Sequence, residues 1–126
     1  MKTSIVKDKS YGFALKIIQL VRTLREQKEF EIAGQVLDSG TSIGANVEEA
    51  LAGVSRAGFA NKMGIASKEA RETHYWLRLL RDSGIIPAER MDPLIAEVEE
   101  LLRILTAIVK TTKNPDPPKE PRRPKE

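Results

Sequence analysis

Large apolar side chains recur at steps of three and four residues in four stretches of this chain, and no other feature narrows its folding as far. Phe13, Ile17, Leu20, Val21 and Leu24 share one face of a helix expected over about residues 4–27. Ile32, Val36, Gly40, Ile43, Val47 and Ala50 do the same over about 29–53, and Phe59, Met63, Ala66, Ala70, Thr73, Leu77 and Leu80 over about 56–83. Met91, Leu94, Val98, Leu101, Leu105 and Ile108 complete the pattern over about 88–113. A helix with one such stripe must bury it against other helices, whereas a strand would alternate with period two. Ser55 is placed to cap the third helix, Gly84 to end it and Pro87 to stop it continuing. Short connections make successive helices antiparallel neighbours. The expected architecture is all-α: an antiparallel up-down-up-down four-helix bundle over residues 1–113.

After Lys113 the sequence reads NPDPPKEPRRPKE, with five prolines in thirteen residues and no large apolar side chain. Such a segment has nothing to place in a core, so a disordered Pro-rich tail is expected over residues 114–126. The opening MKTSIVKDKS lacks the continuous apolar run of a signal peptide, and no stretch is apolar for long enough to span a membrane. Cysteine is absent, which excludes disulfide and thiolate chemistry. These features predict a cytoplasmic protein.

The second helix contains an oddity. Its centre, DSGTSIGANVEEA, holds Gly40 and Gly44 among Ser39, Thr41 and Ser42. Glycine within a helix costs about 1 kcal/mol relative to alanine. The expectation is that Gly40 and Gly44 admit a neighbouring backbone or a bulky ring, with Trp76 the largest side chain available to fill the groove. Asn46 and Glu49, one turn apart on that helix, are expected to hydrogen-bond near the carboxylates of helix three or near Lys68. Glycine pairs at this spacing also occur in membrane helix dimers, but Asp38, Glu48 and Glu49 exclude that reading here.

Catalysis has little support in the residues. His74 is the only histidine, and the Glu-x-x-His spacing of di-iron bundles does not occur on two helices. Glu49, Glu69 and Glu72 without imidazole make a poor metal set, and no phosphate-cradling glycine loop ends in Gly-Lys-Ser/Thr. No catalytic residue, cofactor or metal is expected.

Charge is more informative. The net charge is +3, yet residues 1–28 carry +5, residues 29–53 carry −5 and residues 54–83 carry +3. Helix three has three faces. Beside its core stripe runs a part-apolar one, Lys62, Ile65, Glu69, Glu72, Trp76 and Leu79, which points to burial in a wide core or against another subunit. A third line, Lys68, Arg71, Tyr75 and Arg78 with Arg81 at its end, interleaves cations with an aromatic ring. That combination suits phosphate contact with base stacking; a solvated basic face is the alternative.

The stretches SGTSIGANVEEA and SRAGFANKMGIASKEARETHYWLRLL resemble the four-helix-bundle family encoded within intervening sequences of bacterial 23S ribosomal RNA genes. The likeness covers nearly all of residues 10–113 and is strongest over 39–80. It rests on Ser42, Ile43, Asn46 and Glu49 in helix two, and on Phe59, Lys62, Ala66, Lys68, Glu69, Glu72 and Trp76 in helix three. The resemblance implies a small helical bundle assembling as a homopentamer, with no catalytic residues to carry over. More distantly the chain is similar to the accessory variability protein of diversity-generating retroelements, a basic pentameric barrel that binds a reverse transcriptase and nucleic acid. The acidic second helix and modest net charge depart from that pattern. The resulting expectation is a non-enzymatic, oligomeric module that binds RNA or DNA, or a nucleic-acid-processing protein. The alternative is a structural assembly protein with protein partners alone.

Overall fold

A computed structural model describes residues 2–53 and 55–113; the tail expected over 114–126 lies outside the described residues. Four helices follow in order: α1 Lys2–Glu26, α2 Phe30–Ala52, α3 Arg56–Asp82 and α4 Ala88–Lys113. α1 packs on α2, α2 on α3, α3 on α4, and α1 closes the ring against α4 along a sparser seam. Cross-helix pairs show every neighbour to be antiparallel. On α1 and α4, Lys9 pairs with Glu100 and Lys16 with Glu97, while Arg90 donates to Thr23. On α2 and α3, Glu49 pairs with Lys62 and Ser39 meets Thr73. On α3 and α4, His74 meets Glu99 and Arg81 meets Asp92. The bundle is up-down-up-down. No helix among the described residues is long and apolar enough to cross a membrane.

Local chemistry sets the helix ends. The Ser55 hydroxyl accepts from the Gly58 amide at 2.9 Å, capping α3. Gly84, at φ +80°, ends α3 in the left-handed conformation that glycine adopts without strain. α1 ends in the same way with Lys28 at φ 64°. There the Glu29 amide reaches back to the Leu24 carbonyl and the Lys28 amide to that of Arg25, the two bonds of a Schellman motif.

The core collects the stripes read from the sequence. Phe13, Ile17, Leu20 and Leu24 of α1 are fully buried, as are Val36, Ile43 and Val47 of α2 and Leu77 and Leu80 of α3. From α4, Met91, Val98, Leu101 and Leu105 join them. Each such side chain contributes about 1.5–3 kcal/mol. Ile32 and Phe59, at the ends of their stripes, are only half-buried.

Gly40 and Gly44 lie against α1, not against Trp76. A Cβ at Gly40 would fall 2.8 Å from Ile17 Cγ1 and 2.9 Å from its Cγ2, and one at Gly44 would lie 3.4 Å from the Ser10 carbonyl oxygen. The α2–α3 register set by Ser39–Thr73 and Glu49–Lys62 places Trp76 one turn away from Gly40. There it lines an open groove of about 910 Å³ with Phe30, Ile32, Gln35 and Ile85. The hydroxyls of Thr41 and Ser42 turn back onto the carbonyls of Leu37 and Asp38, so the helix itself absorbs them. Ser39 is buried and 2.9 Å from Thr73 Oγ1, which also lies 2.8 Å from the Glu69 carbonyl oxygen. One hydroxyl has one proton, so with Thr73 donating to Glu69, Ser39 donates to Thr73.

Three stability outcomes follow. Gly40→Leu must displace Ile17 and is expected to lower unfolding free energy by about 1–3 kcal/mol or more. Gly12→Ala, where nothing lies within 4 Å of the added methyl, is expected to raise it by about 1 kcal/mol. Denaturant melts measure both, and an unchanged Gly40→Leu midpoint would refute the α1–α2 packing. Thr73→Val strands the Ser39 hydroxyl and is expected to cost about 1–3 kcal/mol. Adding Ser39→Ala recovers most of that loss, because no buried donor is then left unpaired.

Candidate nucleic-acid interface

Lys68, Arg71, Tyr75 and Arg78 fall in one row on the outer side of α3 because their spacings of three and four match the helical repeat. All four are exposed. The Arg78 guanidinium carbon lies 6.0 Å from the Tyr75 ring centroid, at the outer limit of a cation–π contact. Its Nε donates to the His74 carbonyl at 3.4 Å. Tyr75 also meets Trp76 edge-on, with centroids 5.3 Å apart and planes at 67°. Tyr75 is therefore supported on two sides while about half of it stays open to solvent.

Arg81 separates from this row. Its Nε donates to Asp82 at 2.8 Å and its Nη1 to Asp92 at 3.1 Å, which ties the end of α3 to the start of α4. The hydrogen bond it donates to Asp82, then that to Asp92, raises its pKa above the ordinary arginine value. Its charge is locally neutralised, so it serves the α3–α4 corner. Lys68, Arg71 and Arg78 form no ion pair among the described residues.

The fold adds two cations that sequence reading missed. Arg103 and Lys110 of α4 join Arg71 around an open groove of about 440 Å³, whose remaining walls are Leu102, Thr106 and Ala107. Both are exposed and without an ion pair among the described residues. Arg103 and Lys110 lie seven residues apart on a helix whose segment is net acidic, so its charge gave no signal. Only the α3–α4 register, held by His74–Glu99 at 3.0 Å, brings them beside Arg71.

The residues expected to be structural lie on the α2 side of α3. Glu49 pairs with Lys62 at 2.8 Å. Asn46 donates to the Ser42 carbonyl of its own helix at 2.8 Å, and does not reach α3 as expected. Its amide satisfies itself locally, as a short polar side chain within a helix can. The Trp76 indole donates to Glu72 at 3.3 Å. Burial pushes the Glu69 carboxyl above the usual range, and the charges of Glu72 and Asp38 add to this against the opposing effect of Lys68. No three His, Cys, Asp or Glu among the described residues converge to hold a metal ion.

The folded chain thus holds the Glu69 proton more tightly than the unfolded chain does. Stability is lost as pH rises through the raised pKa. Glu69→Gln removes this penalty: its thermal midpoint is expected above that of the unmutated protein at pH 7, and the difference should vanish below about pH 4. Calorimetry across that range checks it, and a gain independent of pH would rule the carboxyl out as its source.

Among known proteins, the chain matches the family model described as 23S rRNA-intervening sequence protein over residues 2–107. It is also similar to a protein of unknown function from the S23 ribosomal protein family of Bacteroides thetaiotaomicron VPI-5482, whose crystal structure was determined at 1.70 Å resolution. The two share 48% sequence identity over 88% of this chain and 100% of that one, with a TM-score of 0.84. No curated protein matches it. With a family model spanning most of α1 through α4 and a solved relative sharing its fold, the chain belongs to the 23S rRNA-intervening sequence protein family.

Proposed function

We propose that this protein is a non-enzymatic, oligomeric RNA-binding module of the cytoplasm that works alone or as an accessory to a nucleic-acid-processing protein. The resemblance set out above supports a homopentamer as the form of this oligomer. The observation that carries the RNA reading is the basic groove between α3 and α4. Arg71, Arg103 and Lys110 surround an apolar floor, with the half-exposed Tyr75 ring and Arg78 further along α3. Cations supply phosphate attraction, and an open aromatic ring supplies a surface on which a base can stack for about 1–3 kcal/mol. Copies of this groove around a ring multiply a weak contact through effective concentration. Binding through phosphates is sequence-tolerant and weakens steeply with salt.

A second reading, a scaffold that binds protein partners alone, draws on the acidic outer surface of α2, where Glu31, Asp38 and Glu48 are exposed.

A salt-titrated binding assay with single-stranded RNA, structured RNA and duplex DNA separates the two. The double variants Arg71→Glu/Arg78→Glu and Arg103→Glu/Lys110→Glu are each expected to weaken RNA binding by tenfold or more while oligomeric mass is retained. Loss of two phosphate contacts should flatten the slope of log affinity against log salt by about 1.4 for a single strand. Loss of mass in either variant makes those cations structural. If the unmutated protein fails to bind at low salt, the RNA reading fails and the scaffold reading replaces it.

A further inference from the structure

α1 carries a row of large apolar side chains that nothing in its own bundle covers. Tyr11, Leu15 and Ile18 are 61%, 50% and 38% exposed, and they follow one another at steps of four and three. The row continues in register to Lys7 at one end and Arg22 at the other, both exposed. α1 already buries its opposite face through Phe13, Ile17, Leu20 and Leu24. It is therefore apolar on two sides, although a helix at the corner of a single bundle needs one.

α2 presents the complement. Glu31, Gly34, Asp38, Thr41, Ala45 and Glu48 succeed one another at steps of three and four along its outer side. Asp38 and Thr41 stand at the centre of this row, flanked by two small residues: an added Cβ at Gly34 meets nothing within 4 Å, and Ala45 is exposed. Its ends are acidic. Fifteen residues separate Lys7 from Arg22 and seventeen separate Glu31 from Glu48, so the charged ends lie about 23 and about 26 Å apart at the helical rise. None of these four groups, nor Asp38, forms an ion pair among the described residues.

We infer that the outer row of α1 docks on the outer row of α2 of a second copy of this chain. Tyr11, Leu15 and Ile18 fill the shallow trough over Gly34 and Ala45. Lys7 and Arg22 come opposite the acidic ends. The two rows match in length, are opposite in charge and are complementary in bulk. The contact is heterologous, since one surface meets a different one, so the copy that gives its α1 row keeps a free α2 row, and its partner keeps a free α1 row, for further copies. Such contacts close into a ring when the rotation between copies allows it. The inference rests on the oligomeric reading proposed above and names the surfaces that build the oligomer. Neither surface includes the α3–α4 groove, so RNA binding and assembly can be disabled separately.

Light scattering and sedimentation of two variants test this. Leu15→Glu places a charge within the apolar row, and Ala45→Arg fills the trough with a bulky cation. Each is expected to reduce the oligomer to the 14.1 kDa chain while helical circular dichroism is retained, because both positions are exposed in the single bundle. If Leu15→Glu fails to fold, Tyr11→Lys replaces it. An equal mixture of the two variants at high micromolar concentration is expected to form a one-to-one pair of twice that mass, because each keeps the surface the other lacks. A contact of α1 on α1, or of α2 on α2, cannot produce this rescue. A variant that keeps the parent mass overturns the inference and leaves the oligomeric reading in place, as does a mixture that stays monomeric. An unmutated protein that is monomeric at all concentrations overturns both.

Discussion

The approach of α1 to α2 at Ile17 and Gly40 governs much of this bundle. No side chain could stand at position 40 with Ile17 where it is, since a single added carbon would lie 2.8 Å from it. Gly44 extends the same seam against the Ser10 backbone. Two helical glycines cost about 2 kcal/mol in intrinsic propensity together. The contact offsets this by burying Ile17 completely and by letting Ile43 and Val47 reach the centre. With α2 held close to α1, its other flank sets Ser39 against Thr73 and fixes the level at which α3 runs.

Polar groups then serve register more than stability. Ser39–Thr73 is the buried polar link between helices, and no buried side-chain nitrogen or oxygen among the described residues lacks a partner. Leaving such a group unpaired costs more than the bond itself contributes, so this pair penalises any sliding of α3 along α2. The ion pairs of α1 with α4 are exposed and each is worth at most about 1 kcal/mol. Together they select one alignment on the sparser seam. His74–Glu99 and Arg81–Asp92 do the same between α3 and α4, and that alignment forms the basic groove.

Charge in this molecule therefore divides by location. Cations at helix seams, such as Lys9, Lys16, Lys62 and Arg81, meet carboxylates of the neighbouring helix. Cations on outward faces, such as Arg22, Arg71, Arg103 and Lys110, do not. The sequence-wide net charge of +3 hides this division. The acidic surface of α2 and the basic surfaces of α1 and of the α3–α4 groove point outward on different sides of one small bundle. Such an arrangement favours ordered contact with other molecules over diffuse attraction.

Helix number, helix ends and most of the core were legible in the residues themselves. Apolar spacing is a local property, and a helix that buries one stripe has few alternatives to a bundle. Ser55, Gly84 and the stripe from Phe13 to Leu24 each signal their role within a few positions. Gly40 was legible as a point of close approach, but its partner was not. Trp76 was the obvious candidate by size, and the actual neighbour, Ile17, depends on how two helices align. The same limit hid Arg103 and Lys110, and it let Asn46 pass for a cross-helix contact when its amide closes on its own turn. The sequence by itself determined which faces of each helix seek burial, because that follows from spacing along one chain. Only the tertiary structure decided which residues of different helices stand at the same level, because antiparallel register is set by close packing at Gly40 and by the buried Ser39–Thr73 pair.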